Sequence, residues 1–129
     1  MSIQIQAFTF NGFQENTFVV SHGHEAVIFD PGCYTRQEEI ELMDYIHQNK
    51  LFVKAILFTH AHIDHILGAE FCRQQFNAPA YLHSQDQVTW ESVKSYAHVY
   101  GFDGYKEADV PSYFLTDQQV LDFGALQFR

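Results

Sequence analysis

Basic residues are scarce in this chain. Seven lysines and arginines stand against sixteen aspartates and glutamates, a formal net charge of −9 over 129 residues. Tracking a phosphate backbone takes clustered Lys and Arg, so nucleic acid is not an expected partner. Cysteine is sparse too. Cys33 and Cys72 are the only two, too few for a disulfide framework and without C-x-x-C spacing. No apolar run approaches the roughly 20 residues of a membrane span, so no membrane is expected either. The N-terminus alternates Ile3, Ile5 and Ala7 with Ser2, Gln4 and Gln6. That is a strand pattern, without the basic start or apolar block of a signal peptide. A reducing, cytoplasmic setting follows as the expectation. Repeats, low-complexity segments and obvious linkers are absent as well. An apolar content of 47% is enough for a core, and the length is ordinary for one domain.

Against this plain background one stretch stands out, Thr59-His60-Ala61-His62-Ile63-Asp64-His65. Its H-x-H-x-D-H pattern places four groups able to bind a metal within six positions. Buried polar side chains cost free energy unless each finds a partner, and a metal ion is a partner for all four. Imidazole with carboxylate suits zinc, iron or manganese. The motif follows the apolar strand Val53–Thr59. If the chain stays extended through His60 and His62, both imidazoles point to one side. Asp64 and His65 fall where the chain turns and can aim at a second point nearby. Two-metal hydrolytic sites hold their ions about 3.5–4 Å apart.

The rest of the chain reads as alternating strands and helices. Ile3–Phe10 and Thr17–Val20 are strands joined around Asn11-Gly12, and Val27–Asp30 is a third. Thr35-Arg36-Gln37-Glu38 is a capping box. The helix it opens should carry Ile40, Met43 and Ile46 on one stripe and end near Asn49, with His47 at the surface. Gly68–Phe76 is a second helix, Ala80–His83 a short strand, and Ser84-Gln85-Asp86-Gln87 another capping-box match. His22 and His24 flank a turn glycine and read as exposed turn histidines. Cys33, after Pro31-Gly32, is a candidate reactive thiol, and Cys72 a small buried hydrophobe.

The stretch Ala55-Ile56-Leu57-Phe58-Thr59-His60-Ala61-His62-Ile63-Asp64-His65-Ile66-Leu67-Gly68 resembles the metal loop of the metallo-β-lactamase superfamily. In order along the chain, Glu15–Val20, Ile28-Phe29-Asp30-Pro31-Gly32, Asn77–His83 and Asp117–Phe128 are similar to elements of its glyoxalase II-like branch. The resemblance implies an α/β fold, a metallo-β-lactamase-like αββα sandwich. This chain (residues 1–129) is expected to cover roughly the first half, because the family's further ligands lie beyond the strand resembling Leu126-Gln127-Phe128. The expectation is therefore a fragment of a longer protein.

The resemblance also implies roles. His60 and His62 would hold one ion and Asp64 and His65 a second, each completed by downstream ligands. Zinc is the first choice, with iron or manganese as alternatives. Attack by metal-bound hydroxide on a thioester such as S-acyl-glutathione, or on an ester, is the expected reaction. With a single ion, Asp64 would act as the catalytic group that orients or deprotonates water. Asp30 is either an acceptor behind a ligand imidazole or a turn-forming Asp before Pro. His83 and His98 are not at ligand positions. The aromatic, Gly-broken segment 88–114 is expected to be irregular. It is a possible lid over the substrate, or simply packs on a hydrophobic face. Two rival readings are an iron-dependent sulfur dioxygenase of the same fold and a non-enzymatic half-domain that binds metal or a partner. Self-association through Val120–Phe128, or pairing with a missing C-terminal half, is the expected fate of the uncovered edge.

Overall fold

The computed structural model describes residues 3–59, 61–106, 111, 113–115, 121–123 and 126–128. Strands β1 (Ile3–Phe10), β2 (Glu15–His22) and β3 (Glu25–Phe29) form an antiparallel meander. Strands β4 (Phe52–Phe58), β5 (Ala80–His83) and β6 (Tyr113–Leu115) continue it in parallel, giving a six-stranded sheet in the order β1-β2-β3-β4-β5-β6. Strands β7 (Leu121–Phe123) and β8 (Leu126–Phe128) make a separate antiparallel hairpin. Residues 117–120 of the expected hairpin lie outside the described residues.

Alternation decides which face each strand buries. In β2, Val19 is buried between exposed Phe18 and half-buried Val20, as expected for a strand with one covered face. β3 and β4 are apolar on both faces, and the core divides accordingly. Phe8, Phe10, Val19, Ile28, Ile56 and Phe58 pack on the helical side. Val27, Ala55 and Leu57 meet Leu126 of the hairpin on the other. Leu126 is therefore covered within its own chain, contrary to expectation. The side chains of Phe123 and Phe128 lie outside the described residues. Among the described residues, Ile3, Ile5 and Phe18 are exposed on the outer part of the second face.

Helix α1 (Arg36–Gln48) begins at the predicted capping box: Glu38 N donates to Thr35 Oγ1 at 3.1 Å and Thr35 N to Glu38 Oε1 at 3.3 Å. Such a cap contributes about 1 kcal/mol. Its buried stripe is Glu39, Leu42 and Ile46. Ile40 faces solvent, one position out of phase with the predicted stripe, because Leu42 rather than Met43 points to the sheet. Helices α2 (Ile63–Ile66) and α3 (Ala69–Phe76) follow β4.

Residues 88–114 are more regular than expected. Helix α4 (Gln87–Tyr96) and a 3-10 turn at Ala97–Tyr100 fill much of the segment. Trp90 and Val93 are buried there, with the Trp90 ring edge-on to Phe58 at 4.9 Å. Ser84 does not cap this helix. A 3-10 turn at Ser84–Asp86 intervenes, with His83 Nδ1 accepting from Gln85 N at 3.2 Å. His22 ends β2 half-buried, whereas His24 is exposed in the turn. Among the described residues no helix is long and apolar enough to cross a membrane.

Candidate metal centre

The H-x-H-x-D-H loop leaves the C-terminal end of β4, where the central parallel strand opens the sheet. His60 lies outside the described residues. His62 is the extended residue before α2, and its carbonyl accepts from His65 N at 2.9 Å. Asp64 and His65 occupy the short helix itself. His62 and Asp64 line one cavity with Phe13, Ile63, Tyr96 and Tyr100. Asp64 and His65 line a second, wider trough with Glu15, Asp30 and Thr59. The three described residues of the motif thus open on two adjoining recesses, and Asp64 belongs to both.

His65 is held from behind. Its Nδ1 lies 3.1 Å from Asp30 Oδ2 and 3.4 Å from Glu15 Oε2, while Nε2 faces Asp64 Oδ2 at 3.4 Å. Asp30 is itself pinned: Oδ1 accepts from Thr59 N at 2.7 Å and Oδ2 from Thr59 Oγ1 at 2.5 Å. Its backbone sits in the left-handed region at φ 51°. Asp tolerates this region better than most residues, and the carboxylate bonds to Thr59 and His65 stabilise it there. Of the two roles open to Asp30 in the sequence, its closeness to His65 Nδ1 fits the acceptor behind an imidazole. Burial pulls the His65 pKa down, but the hydrogen bond and charge of Asp30, with Asp64 and Glu15, outweigh it. The net shift is upward from the ordinary 6.5.

Glu15 is the residue that sequence reasoning missed. Its side chain has no solvent exposure, and among the described residues Oε2 has no hydrogen bond. Burial raises its pKa to about 8, against the lowering effects of Thr17 and His65. Thr17 links Glu15 to the neighbouring backbone. The hydroxyl lies 2.9 Å from the Asp30 carbonyl, 3.0 Å from Gly32 N and 2.9 Å from Glu15 Oε1. A hydroxyl has one proton and two lone pairs. It accepts from Gly32 N–H, and its single proton is shared between the Asp30 carbonyl and Glu15 Oε1. Glu15, Asp30 and His65 each bring one donor atom to within 4.8 Å of one another. Because Asp30 is already committed to Thr59, the cluster serves better as a cradle for the imidazole than as a closed ligand set.

Close backbone approach builds the cradle. A Cβ on Gly32 would overlap Glu15 Oε1 and the Asp64 carbonyl oxygen, and one on Gly68 would overlap Cys33 Sγ. Asn11 ties the pieces together. Its Nδ2 donates to the carbonyls of Gly32 and Asp64, both at 3.0 Å, and its backbone N donates to Glu38 Oε2 at 2.7 Å. Cys33, the candidate reactive thiol, is fully buried beside Cys72. Burial, then the neighbouring thiol, pushes Cys72 well above the ordinary range. The Cys33–Cys72 pair is core.

Residues 10–121 match the metallo-beta-lactamase superfamily. The chain belongs to that superfamily, whose members are mostly metal-dependent hydrolases. It is 36% identical over 77 residues to the probable metallo-hydrolase YqgX of Bacillus subtilis, a match spanning 60% of this chain and 34% of that protein. It is 32% identical over 85 residues to the hydroxyacylglutathione hydrolase of Nitrosomonas europaea, spanning 65% and 30% respectively. Among solved structures, the BLEG-1 B3 metallo-beta-lactamase superposes with a TM-score of 0.82 at 28% identity, covering 97% of this chain and 59% of that one. TTHA1623 in a di-iron-bound form superposes at 0.76 and 28%, covering 92% and 57%. The chain therefore spans about a third of these curated relatives.

Proposed function

We propose that this chain is the N-terminal side of a glyoxalase II-like metallohydrolase, acting on small thioesters such as S-acyl-glutathione. The observation that carries the reading is the setting of His65. Asp30 and Glu15 take its Nδ1 side and Nε2 turns toward Asp64. A carboxylate behind an imidazole fixes the tautomer and ring orientation that metal ligation needs. The donor chemistry fits a divalent cation, zinc first, with iron supported by the di-iron form of TTHA1623. His60, His62, Asp64 and His65 would hold one or two ions. A bound ion supplies Lewis-acid polarisation of the scissile carbonyl and lowers the pKa of water. With a single ion bound, Asp64, which lines both recesses, would instead orient water and accept its proton. The net reaction adds water across the C–S bond: a C–O bond forms, the C–S bond breaks and the thiol leaves protonated. The thioester class rests on the likeness to the hydroxyacylglutathione hydrolase.

Catalytic zinc commonly needs three protein ligands and an open position, and the relatives are about three times as long as the matched stretch. The remaining ligands are proposed to come from outside these residues. The test compares the 129-residue chain with a longer polypeptide in which it is joined to the remaining part of such a relative, each loaded with zinc or iron(II). Chelator-sensitive thioester hydrolysis should appear in the longer protein only. Hydrolysis by the short chain would overturn the incomplete-site reading. A longer protein that consumes O2 with iron, and leaves thioesters intact, would establish the sulfur dioxygenase instead.

A further inference from the structure

The cavity beside His62 and Asp64 has a wall that the hydrolytic reading does not use. It holds about 320 Å³ and is lined by Phe13, His62, Ile63, Asp64, Tyr96 and Tyr100. Phe13 comes from the β1–β2 loop, and the two tyrosines from the segment after β5. An edge-to-face chain of rings joins them: Tyr96 to Tyr100 at 5.8 Å, Tyr100 to Phe13 at 5.7 Å and Phe13 to Phe102 at 5.4 Å. Phe102, which is buried, extends the chain to Tyr34 at 5.0 Å, and the Tyr34 hydroxyl accepts from Gly104 N at 2.8 Å. The inner end of this chain is thus anchored in the core. Its outer members are not: Phe13 is 47% exposed and Tyr100 52% exposed. Aromatic rings left open to water around a recess, with their inner neighbours fixed, form a preorganised apolar wall.

Charge narrows the occupant. Among the described residues no lysine or arginine lines the cavity, and Asp64 adds an acidic group. Apart from an ion held at His62 and Asp64, an anionic ligand portion such as the carboxylates of a glutathionyl group has no basic side chain to pair with among the described residues. An uncharged apolar group next to the scissile carbonyl does fit, since His62 and Asp64 share the recess with the rings.

We infer that Phe13, Tyr96 and Tyr100 form the acyl pocket, and that the preferred substrates carry an apolar or aromatic acyl group rather than a small or charged one. This rests on the hydrolase reading. It extends that reading by assigning which half of the substrate lies against residues 88–114.

The experiment uses the longer polypeptide loaded with zinc. One arm measures kcat/KM for acetyl, hexanoyl and phenylacetyl thioesters of one neutral thiol. Apolar pockets commonly discriminate tenfold or more for small changes in a substrate's apolar bulk. The expected preference for hexanoyl and phenylacetyl over acetyl is at least about tenfold, read mainly in KM. Phe13→Ala and Tyr100→Ala should each collapse this ratio, and Tyr100→Phe, which keeps the ring, should retain it. Both positions are half-exposed, so truncation spares the core, and thermal melts check that the variants fold. The second arm titrates hexanoate and acetate by NMR, with ring proton shifts as the readout. Hexanoate should bind at least about tenfold tighter, and the difference should vanish in the two alanine variants. Hydrolysis with no acyl preference and equal carboxylate binding would overturn the inference and leave the hydrolase reading intact. Absence of hydrolysis with a ring-dependent hexanoate preference would overturn the hydrolase reading and leave the pocket standing.

Discussion

Glu15→Gln should stabilise the metal-free chain at neutral pH, by an amount that depends on pH. The Glu15 carboxyl has an ordinary value of 4.5 and is raised to about 8 in the folded chain. Between those values the folded state holds a proton that the unfolded state has released. The proton-linked contribution is therefore fully present below pH 4.5 and is lost as pH rises through 8, at about 1.4 kcal/mol per unit. At pH 7 the loss amounts to about 3 kcal/mol, a large part of the roughly 5–15 kcal/mol that holds a domain together. Glutamine preserves the shape, and its Oε1 can accept from Thr17 Oγ1 as the carboxyl does, but it does not ionise. Urea unfolding of both proteins in EDTA at pH 5, 6, 7 and 8 is the assay. The curves should nearly coincide at pH 5 and separate by about 3 kcal/mol at pH 7 in favour of the variant. A pH-independent difference, or a less stable variant at pH 7, would refute the argument. It would mean that Glu15 is ionised when buried and paired with His65.

Three further outcomes follow from the same contacts. Asp30→Asn should weaken zinc binding about 10- to 100-fold in a chelator competition assay, because it disturbs the acceptor behind His65. Asn11→Ala removes the two side-chain bonds to the Gly32 and Asp64 carbonyls. It should lower stability by about 2 kcal/mol in urea unfolding, at roughly 1 kcal/mol per bond. The 129-residue chain should sediment above its 15.0 kDa monomer mass at micromolar concentration. The contact should run through exposed Ile3, Ile5 and Phe18, and a double Ile3→Lys, Ile5→Lys variant should return it to monomer.

What was legible in the sequence was whatever depends on local chemistry. The helix start at Thr35 and the early strands could be read because a capping box and strict alternation act over a few residues. The metal loop stood out because four potential ligands, three His and one Asp, within six positions have few other uses. The misreadings share a different cause. Placing Ile40 in the stripe of α1 failed because a one-residue rotation of a helix face is decided by the sheet it meets, through Leu42 and Ile46. Residues 88–114 looked irregular because Gly101 and Gly104 break the pattern. The helix before them is stabilised from a distance, by Trp90 against Phe58. Glu15 gave no signal at all. Its buried carboxyl is enclosed by Thr17, two residues along the same strand, and by Gly32 and His65, which reach it from the loop after β3 and from α2.

That convergence also explains why the cradle is built from such costly parts. Glu15, Asp30 and Asp64 gather their carboxyl groups around one imidazole, at 3.1 to 3.4 Å. Buried carboxylates are unfavourable unless each is paired and hydrogen-bonded. Asp30 meets the requirement through Thr59, and Glu15 by keeping its proton. Asp64, partly exposed, keeps contact with water. Each thus takes the least expensive form its place allows, and none needs the others to be charged. The imidazole is then the one member of the group with a fixed orientation and an outward nitrogen. A purely structural histidine would need a single partner. Two carboxyls behind the ring and a third before it hold this side chain in place at the open side of the sheet.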